Sequence, residues 1–132
     1  MATLEKVKKL KADARKRTKQ RTDVKNELAA HAIVALSELG YARTGLRDIA
    51  TLSGRSVGAL SYYFDDKTDL IAYCVQLYKQ QFVRDIDRAM AVPGGRDEVI
   101  RSVTNAFAWA VEHDASKHRL WYDIRSQTLF DE

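Results

Sequence analysis

The residue types best placed to do chemistry lie in one stretch, LRDIATLSGRSVGALSYYF, running from Leu46 to Phe64. That chemistry is hydrogen bonding at close approach, not bond breaking. Gly54 supplies the positive φ that a tight turn between two short helices needs. Ala50 is small enough for the point where the two helices touch, and Ile49, Leu60 and Tyr63 are expected to face inward. Ser56 can cap the second helix with its hydroxyl. The outward residues of that helix are then Val57, Gly58, Ala59, Ser61 and Tyr62. They are mostly small, so the helix backbone can enter a major groove about 12 Å wide. Tyr62 can donate a hydrogen bond to a phosphate or pack on a thymine methyl.

Other candidates carry less. Asp114 and His118 are four residues apart, with His113 beside them, but no third ligand with matching spacing is present, so no metal site is expected. Cys74 lies in an apolar stripe and reads as core. No nucleophile–base pair and no phosphate loop stands at useful spacing, which argues against an enzyme and against a cofactor.

The elements expected to position these groups are all helical. Pro93 is the only proline, and no period-2 apolar run of strand length stands out. Residues 4–20 form a weak helix candidate with a thin seam at Leu4, Val7, Leu10 and Ala14. A stronger helix is expected over 22–39, where Val24, Leu28, Ala32, Leu36 and Leu39 recur at helical steps until Gly40 ends it. Two short helices, 46–53 and 57–64, follow around the Gly54 turn. Asp66 can cap a fourth helix over 67–91, with Leu70, Ile71, Cys74, Leu77, Phe82, Ile86 and Met90 on one side. Pro93-Gly94-Gly95 breaks it. A fifth helix is expected over 97–113 and a sixth over 117–130, the latter carrying Leu120, Trp121, Ile124, Thr128 and Phe130. The domain reading is an arm at 1–21, a helix-turn-helix head at 22–66 and a helical region at 67–132.

Charge supports a polyanion partner. The net charge is +4, but residues 1–25 hold ten basic and three acidic side chains, whereas the remainder holds 12 basic and 15 acidic ones. A basic head on a mildly acidic body meets nucleic acid at one end. Arg15, Arg17, Lys19 and Arg21 are the arm residues expected nearest the head. The arm can track a phosphate backbone, dip into a minor groove, or stand as a solvated tail, and its apolar seam can instead pack on a partner subunit. No stretch of about 18 apolar residues exists, so no membrane span is expected, and the single cysteine, Cys74, fits a reducing, intracellular setting that reads as cytoplasmic.

From about Glu27 to Leu70 the sequence resembles the DNA-binding domain of TetR-type transcriptional regulators. The resemblance rests on Ala29-Ala30, Leu39-Gly40-Tyr41, Thr44, Ile49-Ala50, Gly54, Ser56, Gly58, Leu60, Tyr62-Tyr63-Phe64, Lys67 and Leu70. It implies that the third helix reads the major groove through Ser56, Val57, Gly58, Ala59, Ser61 and Tyr62. It also implies phosphate contacts from Lys67 and Thr44, with Arg47 facing the same way. A homodimer on a partly palindromic operator follows from it, as does a repressor released by a small-molecule effector bound near Phe82, Met90, Phe107 and Trp121.

The sequence departs from that pattern in places. Arg55 follows the turn glycine where a small apolar residue is common, and it can supply a phosphate contact of its own. Ser61 replaces a frequent aromatic, and Gly45 replaces a second threonine. Family members usually continue well beyond this length, so the chain is either a fragment or a short relative that pairs differently, leaving Phe107, Trp109, Trp121, Tyr122 and Phe130 to find a partner. The rival to a sequence-reading regulator is a protein that coats DNA without reading it, or a helical interaction module.

Overall fold

The computed structural model describes residues 2–128. Six helices follow one another: α1 (Ala2–Leu39), α2 (Leu46–Ser53), α3 (Val57–Tyr63), α4 (Lys67–Met90), α5 (Arg96–His113) and α6 (Ala115–Thr128). The all-α class expected from the sequence is the one observed.

The first helix is the largest correction. The weak segment at 4–20 and the strong one at 22–39 are a single helix of 38 residues. The physical reason is the absence of any interruption, since neither proline nor glycine occurs before Gly40. At the join, the Thr18 and Thr22 hydroxyls donate to the carbonyls of Ala14 and Thr18, both at 3.0 Å, so neither competes for another backbone path. The helix ends at Gly40, whose φ of 86° is the left-handed conformation expected there.

The remaining boundaries follow local chemistry. Asp66 caps α4 by accepting from the Asp69 N–H at 2.8 Å. The α2 and α5 starts use glycine instead, and the Gly45 and Gly95 N–H groups donate to Asp48 and Glu98 three residues on. The sixth helix begins at Ala115, two residues earlier than expected, because Asp114 alone joins it to α5. Phe130 lies outside the described residues, and so does the side chain of Thr128.

The core sits where α1 packs against α2, α4 and α6. Leu28, Ala29, Ala32 and Leu36 of α1 meet Ile49, Ala50, Leu60, Phe64, Leu70, Cys74, Leu120 and Ile124. Burial of the Cys74 thiol pushes its pKa up to about 12, as a core cysteine requires. Leu39, expected on the same stripe, is exposed. No residue of α5 is buried, and Ile100, Trp109 and Val111 are more than half exposed.

Candidate nucleic-acid interface

The turn between α2 and α3 is built as its residues dictate. Gly54 has φ 66° and ψ 24°, in the left-handed region that a side chain rarely occupies. Its N–H donates to the Thr51 carbonyl and that of Arg55 to Ala50, at 3.2 and 2.9 Å. Two of the α2 carbonyls left open by the helix end are thereby satisfied. Ser56 accepts from the Ala59 N–H at 3.1 Å and starts α3. Ile49, Ala50 and Leu60 are buried and Tyr63 is half-buried, so the pair locks onto α1.

One face of α3 is left open. Ser56, Val57, Gly58, Ser61 and Tyr62 are exposed, and Tyr62 is 69% accessible. Ala59, expected with them, is half-buried. Gly58 has no steric reason within the fold, for a Cβ built there meets only the Ser56 hydroxyl, at 3.9 Å. Its lack of a side chain instead lays the helix backbone bare on the open face.

The cationic and hydroxyl candidates divide sharply. Arg47 is exposed on α2. Thr44 is not: it is buried, and its hydroxyl donates to the Gly40 carbonyl at 2.8 Å and approaches that of Ala35 at 3.3 Å. It ties the α1–α2 turn together, which corrects its expected place as a phosphate ligand. Lys67 is likewise turned inward, donating to the Tyr41 carbonyl with its ammonium 4.1 Å from the Tyr41 ring centre. Burial lowers its pKa below the ordinary lysine value, partly offset by Asp48. Arg55 pairs with Glu27 of α1 at 3.5 Å.

Arg21 belongs to the same junction. Its guanidinium lies 5.0 Å from the Tyr62 ring centre and 5.5 Å from that of Tyr63, and it reaches the Tyr62 carbonyl at 3.5 Å. One turn on, the Lys25 ammonium stands over Phe64 and Tyr73 at 4.8 and 4.4 Å. The Tyr73 hydroxyl donates to Asn26 at 2.6 Å. This cation–aromatic seam holds the long first helix to the end of α3, and sequence spacing gave no sign of it. Arg15, Arg17 and Lys19 are exposed further out on α1.

The ligand candidates also divide. A cleft of about 690 Å³ opens between α4, α5 and the start of α6. Phe82 and Phe107 line it, in edge contact at 5.6 Å, together with Ile86, Ala89 and Trp109. Met90 is exposed outside it, and Trp121 packs against the core and Tyr78, so neither lines the cleft. His113 stacks on Trp109, whereas His118 meets the Tyr78 hydroxyl at 3.2 Å. Among the described residues no three His, Cys, Asp or Glu side chains come together as a metal site. None of the described helices is long and apolar enough to cross a membrane.

Three helices locked by Ala50, Gly54 and Leu60, with the last presenting a bare face, make a helix-turn-helix of the DNA-binding class. Residues 28–74 match the family model of bacterial regulatory proteins, tetR family. Over this stretch the chain is similar to the N-terminal helix-turn-helix domain of that family of DNA-binding transcriptional regulators. No curated protein matches the chain.

Proposed function

We propose that the chain is a sequence-specific regulator that binds double-stranded DNA through the open face of α3. The observation that carries this reading is Gly58, a glycine that the fold does not require, set on an exposed helix face beside Tyr62. Ser56, Val57, Gly58, Ser61 and Tyr62, all exposed, meet the groove, and the exposed Arg47 meets a flanking phosphate. Arg15, Arg17 and Lys19 add backbone contacts from α1. One short recognition helix spans few base pairs, so two copies bind a partly palindromic operator with half-sites ~34 Å apart or a multiple. Repression follows by occluding a promoter in the cytoplasm, and a small-molecule effector in the Phe82–Phe107 cleft favours a head spacing that no longer fits.

The test is selection of duplexes from a random pool by the full chain, followed by fluorescence anisotropy on the enriched and a scrambled duplex. A specific reader prefers the enriched duplex by about 10³ or more. Tyr62→Ala lowers affinity for the enriched duplex and leaves the scrambled one nearly unchanged. Equal binding of both duplexes favours DNA coating, the reading that the exposed cations of α1 support.

A further inference from the structure

The first half of α1 has no fold to serve. Residues 3–20 are exposed on every face, although they continue without a break into the buried stripe that begins near Leu28. Such a segment gains nothing from packing, so its helicity rests on its own residues and on whatever it meets. Its charges oppose it. Lys6, Lys8, Lys9, Lys11, Arg15, Lys16, Arg17 and Lys19 stand against only Glu5 and Asp13. None of the eight forms an ion pair among the described residues. Lys11, Arg15 and Lys19 repeat at four-residue steps, as do Arg17, Arg21 and Lys25. Like charges at that spacing each cost a few tenths of a kcal/mol.

Half of these cations are also ordered. At 100° per residue, Lys8, Lys11, Arg15 and Lys19 fall within about 80° of one another, and Asp13 lies on the opposite side. The helix is seated at its base, and the stripe lies on a face about 120° around from Arg21. Arg21 rests on Tyr62, a residue of the open α3 face, and Lys25 on Phe64 and Tyr73. The extension therefore leaves the domain beside the recognition helix, as a continuous helical rod and not as a loose arm. Residues 3–20 span about 27 Å, the length of about eight base pairs.

We propose that this rod is an outrigger: the Lys8–Lys11–Arg15–Lys19 stripe binds the sugar–phosphate backbone of duplex DNA flanking the half-site that α3 reads. The proposal rests on the DNA-binding reading above and extends it. Duplex DNA fits because its phosphates form a rigid, regular anionic track that matches a rigid cationic one, and it repays the repulsion within the stripe. Arg21 is a positioning residue here, aiming the rod while its guanidinium is held by Tyr62 and Tyr63.

The test compares the full chain with Lys8→Gln/Lys11→Gln/Arg15→Gln/Lys19→Gln and with Gln20→Pro. The proline keeps every charge and breaks the rod from the domain, since it suits the first position of the helix that remains. Each protein is titrated with the enriched core duplex, bare or with 10-base-pair random flanks, and with a wholly random 36-base-pair duplex, across a salt series. Four phosphates neutralised give a salt slope steeper by about 3.6. The wild type is expected to show this increase when flanks are added, and the four-glutamine variant to show almost none. Gln20→Pro is expected to lose most of it.

A wild-type slope that ignores the flanks overturns the outrigger while leaving enrichment of a core sequence, and so the reader, intact. If no sequence is enriched, the reader fails. The outrigger is then decided by the slopes of the wild type and the four-glutamine variant on the random duplex, where equal slopes overturn it. Undiminished flank dependence in Gln20→Pro overturns the rigid rod. Tighter binding to single-stranded RNA or to anionic lipid vesicles than to duplex DNA overturns the assignment of the partner.

Discussion

Replacing Gly58 by alanine separates the stability of α3 from its contact with DNA. The new Cβ meets only the Ser56 hydroxyl, at 3.9 Å, an ordinary van der Waals distance. The backbone there is ordinary helix, because the positive-φ glycines are Gly40, Gly54 and Gly94. Alanine should therefore fit without strain and restrict the unfolded chain, which is worth up to about 1 kcal/mol. Gly58 is the second residue of α3, in the turn where the helix has not yet closed its own ladder, so about 0.5 kcal/mol is the better figure. For a domain of this size that raises Tm by about 2 °C. If the bare backbone of α3 lies against the groove, the same methyl intrudes at the closest approach, and affinity for the enriched duplex falls about tenfold or more, ~1.4 kcal/mol. Thermal unfolding followed by circular dichroism and anisotropy on one preparation read both quantities. A variant that is stabilised yet binds within twofold of wild type removes Gly58 from the interface. A variant that is destabilised refutes the account of the space around it.

Other substitutions test the remaining assignments. Thr44→Val keeps the shape but strips the hydrogen bond to the Gly40 carbonyl, and urea unfolding should show a loss of about 1–2 kcal/mol while DNA affinity stays unchanged. A phosphate ligand would instead lose DNA affinity, with the salt slope untouched because a neutral hydroxyl releases no counterion. Ser56→Ala removes the cap of α3 and should cost about 1 kcal/mol in the same assay. The Cys74 thiol, pushed up to about 12 by burial, stays protonated in the folded protein where the unfolded chain ionises near 9. Stability is therefore fully present below about pH 9 and falls as pH rises from there toward 12, a decline that Cys74→Ala should weaken, and a thiol reagent at pH 8 should react only on unfolding.

What could be read in the sequence was whatever depends on near neighbours along the chain. Gly40 and Gly54 end their helices in the left-handed region, and Ser56 and Asp66 cap theirs, because each device closes within three or four residues. The inward set Ile49, Leu60 and Cys74 was legible for the same reason, as helical period fixes a side chain's face. The length of α1 was misjudged where a thin apolar seam suggested a break, although no residue there could make one.

The tertiary structure decided what each polar group does with its charge or hydroxyl. Thr44, Lys67 and Arg21 have the right types for phosphate contact, and sequence position alone treats them alike. Thr44 is held within its own turn by Gly40 and Ala35, whereas the cations find distant partners: Tyr41 for Lys67, 26 residues away, and Tyr62 for Arg21, 41 residues away. The same holds for the cleft, which keeps Phe82 and Phe107 but not Met90 or Trp121. A side chain's type and its helical face are local properties of the chain. Whether a ring or a carbonyl stands within reach of it is set by how α1 lies across α3 and α4, and no spacing in the sequence encodes that distance.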